Sequence, residues 1–181
     1  GYGLTETSPT ATTNPGNGRQ LGTIGIPVHQ THVKTVSESG ESLGFDEAGE
    51  LCIKGPQVMQ GYWQRPEATA EVLDSEGWFA TGDVAVIQPD GYLKIVDRIN
   101  DRNIVSGINV YPTELEDVCA THPGVRECAA VGTPSAATGE AIRMYIDKAA
   151  AALTEAEVVT FMRAQVTADK MPQTIVFAAA M

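Results

Sequence analysis

In the stretch THVKTV, residues 31–36, the β-branched Thr31, Val33 and Thr35 alternate with His32 and Lys34, the period of a half-buried strand. β-branched residues dominate the surrounding run, 23–36. The segment before it, PTATTNPGNGRQ at 9–20, is rich in Pro, Gly, Asn and Thr and predicts an irregular loop. After it, 37–50 is a polar turn region, and GELCIKGPQVMQGYW at 49–63 begins as a strand and breaks at Gly55 and Pro56. RPEATAEVL at 65–73 has Pro66 where a helix can start and good helix formers behind it, so a short helix is expected. GWFATGDVAVIQPDGYLKIVDR at 77–98 predicts a β-hairpin, two apolar strands about the turn QPDG.

Past Asp97 and Arg98 the texture changes. NIVSGINVYP at 103–112 holds a short apolar strand and a glycine turn. PTELEDVCATH at 112–122 predicts a helix with Pro112 in its first turn and Leu115, Val118 and Cys119 on one face. Strands are expected at 125–134, 141–148 and 173–178. An amphipathic helix is expected at 154–167, where Val158, Phe161, Met162 and Val166 recur at three- and four-residue spacing. The fold class expected is α/β (α+β): a β-rich region over 1–97 with one short helix, then a small α/β unit over 98–181. The boundary falls at about residues 97–101, and no internal repeat is visible.

Composition narrows the partners. The chain has 181 residues, 43% hydrophobic and 19% charged, in the range of ordinary globular proteins. Its formal net charge is −11, from 12 Lys and Arg against 23 Asp and Glu, which argues against broad nucleic-acid binding but leaves room for one nucleotide in a local pocket. Cys52, Cys119 and Cys128 form no C-x-x-C pair and sit among apolar neighbours, so they read as buried free thiols in a reducing compartment. No apolar run approaches the ~20 residues that span a bilayer. His29, His32 and His122 are scattered without metal or nucleophile spacing and read as ordinary surface or turn histidines.

The candidate chemistry begins at residue 1. GYGLTETSPT combines glycines that allow close backbone approach, hydroxyls that can bind phosphate oxygens, and Glu6, a hard ligand suited to Mg²⁺. On the residues alone it is either a solvated terminal segment or one part of a phosphate and metal site.

The ordered set YGLTE (2–6), GELCIKGPQVMQGYW (49–63), GWFATGD (77–83) and GYLKIVDR…SGINVYPTELED (91–117) resembles the adenylate-forming enzyme superfamily. Within it, GYGLTETSP, GYWQRPEAT, VYPTELEDV and HPGV are most similar to bacterial long-chain fatty acid–CoA ligases. The resemblance covers essentially the whole chain. It implies that residues 1–97 are the C-terminal β-rich part of an AMP-binding domain and residues 98–181 a small C-terminal domain. It implies a two-step reaction: a fatty acid carboxylate attacks the α-phosphate of ATP to give acyl-AMP and pyrophosphate, and after rotation of the small domain the thiol of CoA displaces AMP. Mg²⁺ serves the first step.

Residue by residue, the resemblance gives Thr5 to the phosphate of ATP or AMP and Glu6 to Mg²⁺, the two catalytic candidates, with Tyr2 and Gly3 along the nucleotide. It gives Asp83 to the ribose hydroxyls, and a carboxylate is a strong acceptor for two vicinal hydroxyls. Arg98 reaches the ribose or phosphate with a planar fork. Asp97 orients that arginine or forms a structural ion pair, and Ile95 lies near the nucleotide or simply faces inward on its strand. The hinge position holds Asn100 where the family usually has Asp or Lys. Asn tolerates unusual backbone conformations, so the pivot role survives the departure, with Asp101 able to share it. Ser106 and Gly107 lie in the loop that faces CoA, or form a plain strand-end turn. Glu114 and Glu116 read as structural, near a helix N-terminus.

The resemblance also sets an expectation about extent. A Gly/Ser/Thr-rich phosphate loop with a lysine belongs far upstream of GYGLTE, and a Pro-Lys-[Ser/Thr]…Gly-Lys stretch belongs after the last strand. Neither stands in these 181 residues, and Lys170, in DKMPQ, is not the second lysine. A C-terminal fragment, truncated before the catalytic lysine motif and poor at making acyl-CoA alone, is expected. Its exposed apolar edges would favour self-association. The parent is expected in the cytoplasm, with peripheral contact to the inner membrane. Two other readings stand beside it: a fragment of an adenylating enzyme for another acid, such as an aryl-CoA ligase or a peptide-synthetase module, or a non-catalytic interaction fragment.

Overall fold

A computed structural model of the chain describes residues 1–178, the side chain of Asn100 excepted. It divides into two compact units, Gly1–Ile99 and Asn100–Met181.

The first unit carries two antiparallel sheets. Strands β1 (Tyr2–Gly3), β2 (Thr10–Thr13) and β3 (Ile26–Pro27) form a small sheet in that order. Strands β4 (His32–Val36), β5 (Gly49–Lys54), β6 (Phe79–Ile87) and β7 (Leu93–Arg98) form a larger one in chain order. Strand β2 lies inside the stretch whose composition predicts a loop. Its sequence TATT is polar, but Ala11 and Thr12 are fully buried, and β-branched threonines suit a pleated strand. The two sheets are stitched together at β7, where Leu93 accepts from the Ile24 N–H at 2.8 Å and donates to Gly25 O at 2.9 Å. That seam closes a core of Ala11, Leu51, Ile53, Ala85 and Leu93, with Tyr2 and Ile95 packed against it. Ile95 therefore has the inward-facing role that a strand residue needs. The β6–β7 turn is QPDG as read: Gly91 N–H reaches Gln88 O at 2.9 Å and Asp90 Oδ1 accepts from Tyr92 N–H at 3.2 Å. Helix α1 (Pro66–Val72) begins on its proline.

The second unit packs helices α2 (Pro112–Ala120) and α3 (Glu155–Arg163) with a five-stranded sheet. Its strands are β8 (Asn103–Val105), β9 (Ile108–Val110), β10 (Val125–Ser135), β11 (Gly139–Lys148) and β12 (Thr174–Ala178). Strand β11 pairs antiparallel with β10 and β8 and parallel with β12, so a single parallel pair joins an otherwise antiparallel sheet. Leu115 and Cys119 of α2 and Val158 and Met162 of α3 enter a core with Ile142, Met144 and Ile146. Helix α3 is shorter than its apolar period suggests. The helix stops after Arg163, yet Val166 still buries, because its N–H turns back to Met162 O at 2.8 Å. Thr154 and Glu157 close a capping box at its start.

Candidate active site

Asp83 is the best-defined candidate. Gly82, just before it, has φ +74°, a left-handed conformation inside β6 that glycine adopts without a Cβ penalty. Two side chains brace this kink: Thr81 Oγ1 accepts from Asp83 N–H at 3.1 Å, and Glu50 Oε1 accepts from Gly82 N–H at 3.1 Å. The register sets Asp83 directly opposite Arg98, so both side chains emerge on one face. Arg98 Nε lies 3.4 Å from Asp83 Oδ1, with the arginine side chain 71% exposed and the aspartate side chain 10%. The Tyr2 hydroxyl donates to Asp83 Oδ2 at 2.6 Å. Burial, reinforced by the bond to Asp83, pushes the Tyr2 phenol well above its ordinary range. Asp97 accepts from Arg98 N–H at 2.8 Å and so fixes the backbone that carries the arginine.

Gly3 sits where a side chain has no room. A Cβ there would lie 1.7 Å from Pro9 O, so β1 closes on the start of β2 only with glycine. Tyr2 and Gly3 line one pocket with Pro9, Thr10 and Thr12.

The next residues form a tight 3-10 turn, Thr5–Thr7. Buried Thr7 holds it: its hydroxyl accepts from Leu4 N–H at 2.9 Å and donates to Pro9 O at 2.7 Å. Thr5 is left exposed and Glu6 half-buried. Glu6 is tied on its backbone, where its O accepts from Met59 N–H at 2.8 Å, and on its carboxylate, where Oε1 accepts from the Tyr62 hydroxyl at 2.8 Å. Tyr62 is itself anchored, its N–H donating to Thr69 Oγ1 of α1 at 2.9 Å. The hydrogen bond to Glu6 raises the Tyr62 phenol above its ordinary range.

In the second unit, Ser106 and Gly107 form the two-residue turn of the β8–β9 hairpin, with φ +52° and +82°, the left-handed pair of a type I′ turn. Both are exposed. Asn100 lies in the 3-10 turn Ile99–Asp101; its side chain lies outside the described residues. Glu114 pairs with Lys170 at 2.7 and 2.9 Å, and Glu116 Oε1 accepts from Ala130 N–H at 2.7 Å, so each has a structural partner. His122 accepts from Gly124 N–H at 3.0 Å and meets the Phe161 ring edge-on.

Comparison with known proteins decides the family. A profile of AMP-binding enzymes matches residues 1–63, and a profile of the AMP-binding enzyme C-terminal domain matches residues 114–181. A long-chain-fatty-acid–CoA ligase of Salmonella typhimurium is 49% identical over 178 residues, 98% of this chain and 32% of that protein. The chain belongs to the AMP-binding enzyme family.

Two further proteins match over nearly the whole chain. A feruloyl-CoA synthase of Amycolatopsis is 38% identical over 180 residues, 98% of this chain and 36% of that protein. The crystal structure of ATP-bound MatB from Rhodopseudomonas palustris matches with a TM-score of 0.91 at 35% identity, over 99% of this chain and 36% of that one. The chain spans about a third of the length of the curated relatives it matches.

Within this chain, the structure brings Tyr2, Asp83 and Arg98 into direct contact and gives Glu6 a separate partner in Tyr62. Tyr62, Thr81 and Glu50 are the residues that motif reading overlooks. Tyr62 stands inside the motif GYW at 61–63, but nothing in that motif reveals that its hydroxyl meets a carboxylate 56 positions away. Among the described residues, no group of three His, Cys, Asp and Glu side chains is placed to hold a metal. A single half-buried carboxylate such as Glu6 still fits Mg²⁺, which commonly uses one or two carboxylates and completes its shell with substrate phosphates and water. Among the described residues, no helix is long and apolar enough to cross a membrane.

Proposed function

We propose that this chain supplies the ribose, phosphate and CoA-facing residues of an ATP-dependent acyl-CoA ligase acting on long-chain fatty acids. The observation that carries the nucleotide half of this reading is the Asp83 carboxylate, buried yet reachable, held by Tyr2 and Arg98. A carboxylate offers about four lone-pair sites. Tyr2 takes one at short range, Arg98 approaches a second at 3.4 Å, and vicinal ribose hydroxyls can use the rest. The identity of 49% with a long-chain-fatty-acid–CoA ligase supports the acid.

In this reading residues 1–97 belong to the AMP-binding domain and residues 98–181 to the small C-terminal domain. Asp83 orients the ribose and Arg98 adds a fixed positive charge on the same side. Tyr2 and Gly3 line the nucleotide, and Thr5 offers an exposed hydroxyl to phosphate. Glu6 would hold Mg²⁺, which would neutralise phosphate charge as pyrophosphate leaves. Tyr62 keeps the Glu6 carboxylate in one orientation. Ser106 and Gly107 present a hairpin tip without bulk to CoA, and Asn100 is the pivot between the two steps. The setting is the cytoplasm, with peripheral membrane contact in the parent enzyme and self-association of this chain.

An aromatic acid is the second reading, favoured by the 38% identity to a feruloyl-CoA synthase. Isothermal titration of the chain with non-hydrolysable adenylate analogues, one carrying a long acyl chain and one a feruloyl group, separates the two. The long-chain analogue should bind more tightly, and Asp83→Ala should weaken both by ~10-fold or more, the value of lost hydrogen bonds to a charged group. Preference for the feruloyl analogue would overturn the acid assignment. Unchanged affinity in Asp83→Ala would overturn the ribose role.

A further inference from the structure

Two of the three cysteines sit on facing elements, Cys119 on α2 and Cys128 on β10, a place the proposed reaction does not use. Glu116 and Cys119 lie three residues apart on the helix and therefore share a face. Glu116 fastens that face to the strand twice: its carboxylate accepts from Ala130 N–H at 2.7 Å, and its backbone O accepts from the Cys128 thiol at 3.4 Å. These bonds hold Cys128 against the turn of helix that carries Cys119, and Cys128 packs against the core cluster to which Cys119 belongs. Cys119 is fully buried in the core of the unit, whereas Cys128 is half-buried. Cys52 belongs to the other unit, is buried, and has its thiol pushed up to about 11, chiefly by that burial.

We propose that Cys119 and Cys128 form a dithiol modification site that low-molecular-weight disulfides, such as oxidised glutathione, convert to an intramolecular disulfide. The arrangement divides the roles. Cys128 is the accessible partner, and hydrogen bonding from the Cys119 thiol lowers its titration, favouring the thiolate. Burial opposes its negative charge, as do the nearby Glu116 and Asp117, so the attack should accelerate as pH rises. Cys119, whose thiol is raised by the contact with Cys128 and by burial, is the resolving partner.

The chemistry balances in two exchanges. The Cys128 thiolate attacks one sulfur of the small disulfide, forming a mixed disulfide and releasing one small thiolate, which takes up a proton. Cys119 then gives up its proton and attacks the Cys128 sulfur, forming the internal S–S bond and expelling the second small thiol. Two protein thiols are oxidised and one small disulfide is reduced to two thiols.

The test treats the whole chain with oxidised glutathione under native conditions and reads intact mass and non-reducing peptide maps. The expected product is lighter than the reduced chain by two hydrogens, carries a peptide bridge between Cys119 and Cys128, keeps Cys52 free to alkylate after unfolding, and reverts with dithiothreitol. Cys119→Ala should stop at a glutathione adduct on Cys128. If that variant does not fold, Cys128→Ala, at the half-buried position, should leave the chain unreactive. A wild-type chain that stops at the adduct, bridges through Cys52, links to a second copy or does not react would overturn the proposal, as would a folded Cys128→Ala chain that still oxidises internally.

Discussion

Asp83 has two close partners on its carboxylate, and each says something measurable about the residue. Tyr2 must keep its proton to donate, and its phenol is raised above the ordinary 10.0 by burial and then by Asp83. A group raised on folding contributes stability in full below its unfolded value and loses it as pH climbs through the folded one. The stability of the first unit should therefore hold to about pH 10 and fall above it. Tyr2→Phe should cost about 1–3 kcal/mol at neutral pH, the value of a hydrogen bond to a charged group, and flatten the alkaline fall. Urea midpoints measured against pH check both. Gly3 makes a different claim. A Cβ there meets Pro9 O, so Gly3→Ala should cost about 1–3 kcal/mol by overpacking, in the same urea assay and without any nucleotide present. Motif reading points to Gly3 as a nucleotide contact, but the steric reason for glycine lies in β2 and is invisible until the strands are paired.

Elements whose ends are written in turn chemistry were the most legible. QPDG marks the β6–β7 hairpin because Pro, Asp and Gly each suit their place in the turn, and Pro66 and Pro112 mark the starts of α1 and α2. Strand β2 was not legible, because its threonines look like loop residues until neighbouring strands bury Thr12. The Ser106 and Gly107 segment shows a glycine turn in sequence, but that it is a two-residue hairpin emerges only from the pairing of Val105 with Ile108. Nothing lies within 4 Å of a Cβ built on Gly107, so Gly107→Ala tests conformation alone. It should destabilise the second unit by roughly 1–2 kcal/mol. Gly107→Asn should recover part of that loss, because asparagine visits the left-handed region more readily. Equal losses for the two variants in chemical denaturation would contradict the turn assignment.

At the scale of the whole molecule, the sequence showed two textures, and the structure shows two cores, one of Ala11, Leu51, Ile53, Ala85 and Leu93 and one built on Leu115, Ile142, Met144 and Ile146. Periodicity reads such cores well because burial is what creates the period. The site is harder to read, because Tyr2 and Asp83 lie 81 positions apart and Glu6 and Tyr62 lie 56 apart. The motifs name the residues individually; their pairing is a product of the strand order. The proposed role of Asp83 is to hold a ribose, and a four-way comparison isolates that contact: AMP and 2′,3′-dideoxy-AMP, each with the wild-type chain and with Asp83→Ala, followed by saturation-transfer NMR. The wild-type chain should bind AMP in preference to the dideoxy nucleotide, and Asp83→Ala should lose the preference. Equal binding of both nucleotides by the wild-type chain, or a preference that survives in Asp83→Ala, would contradict the account.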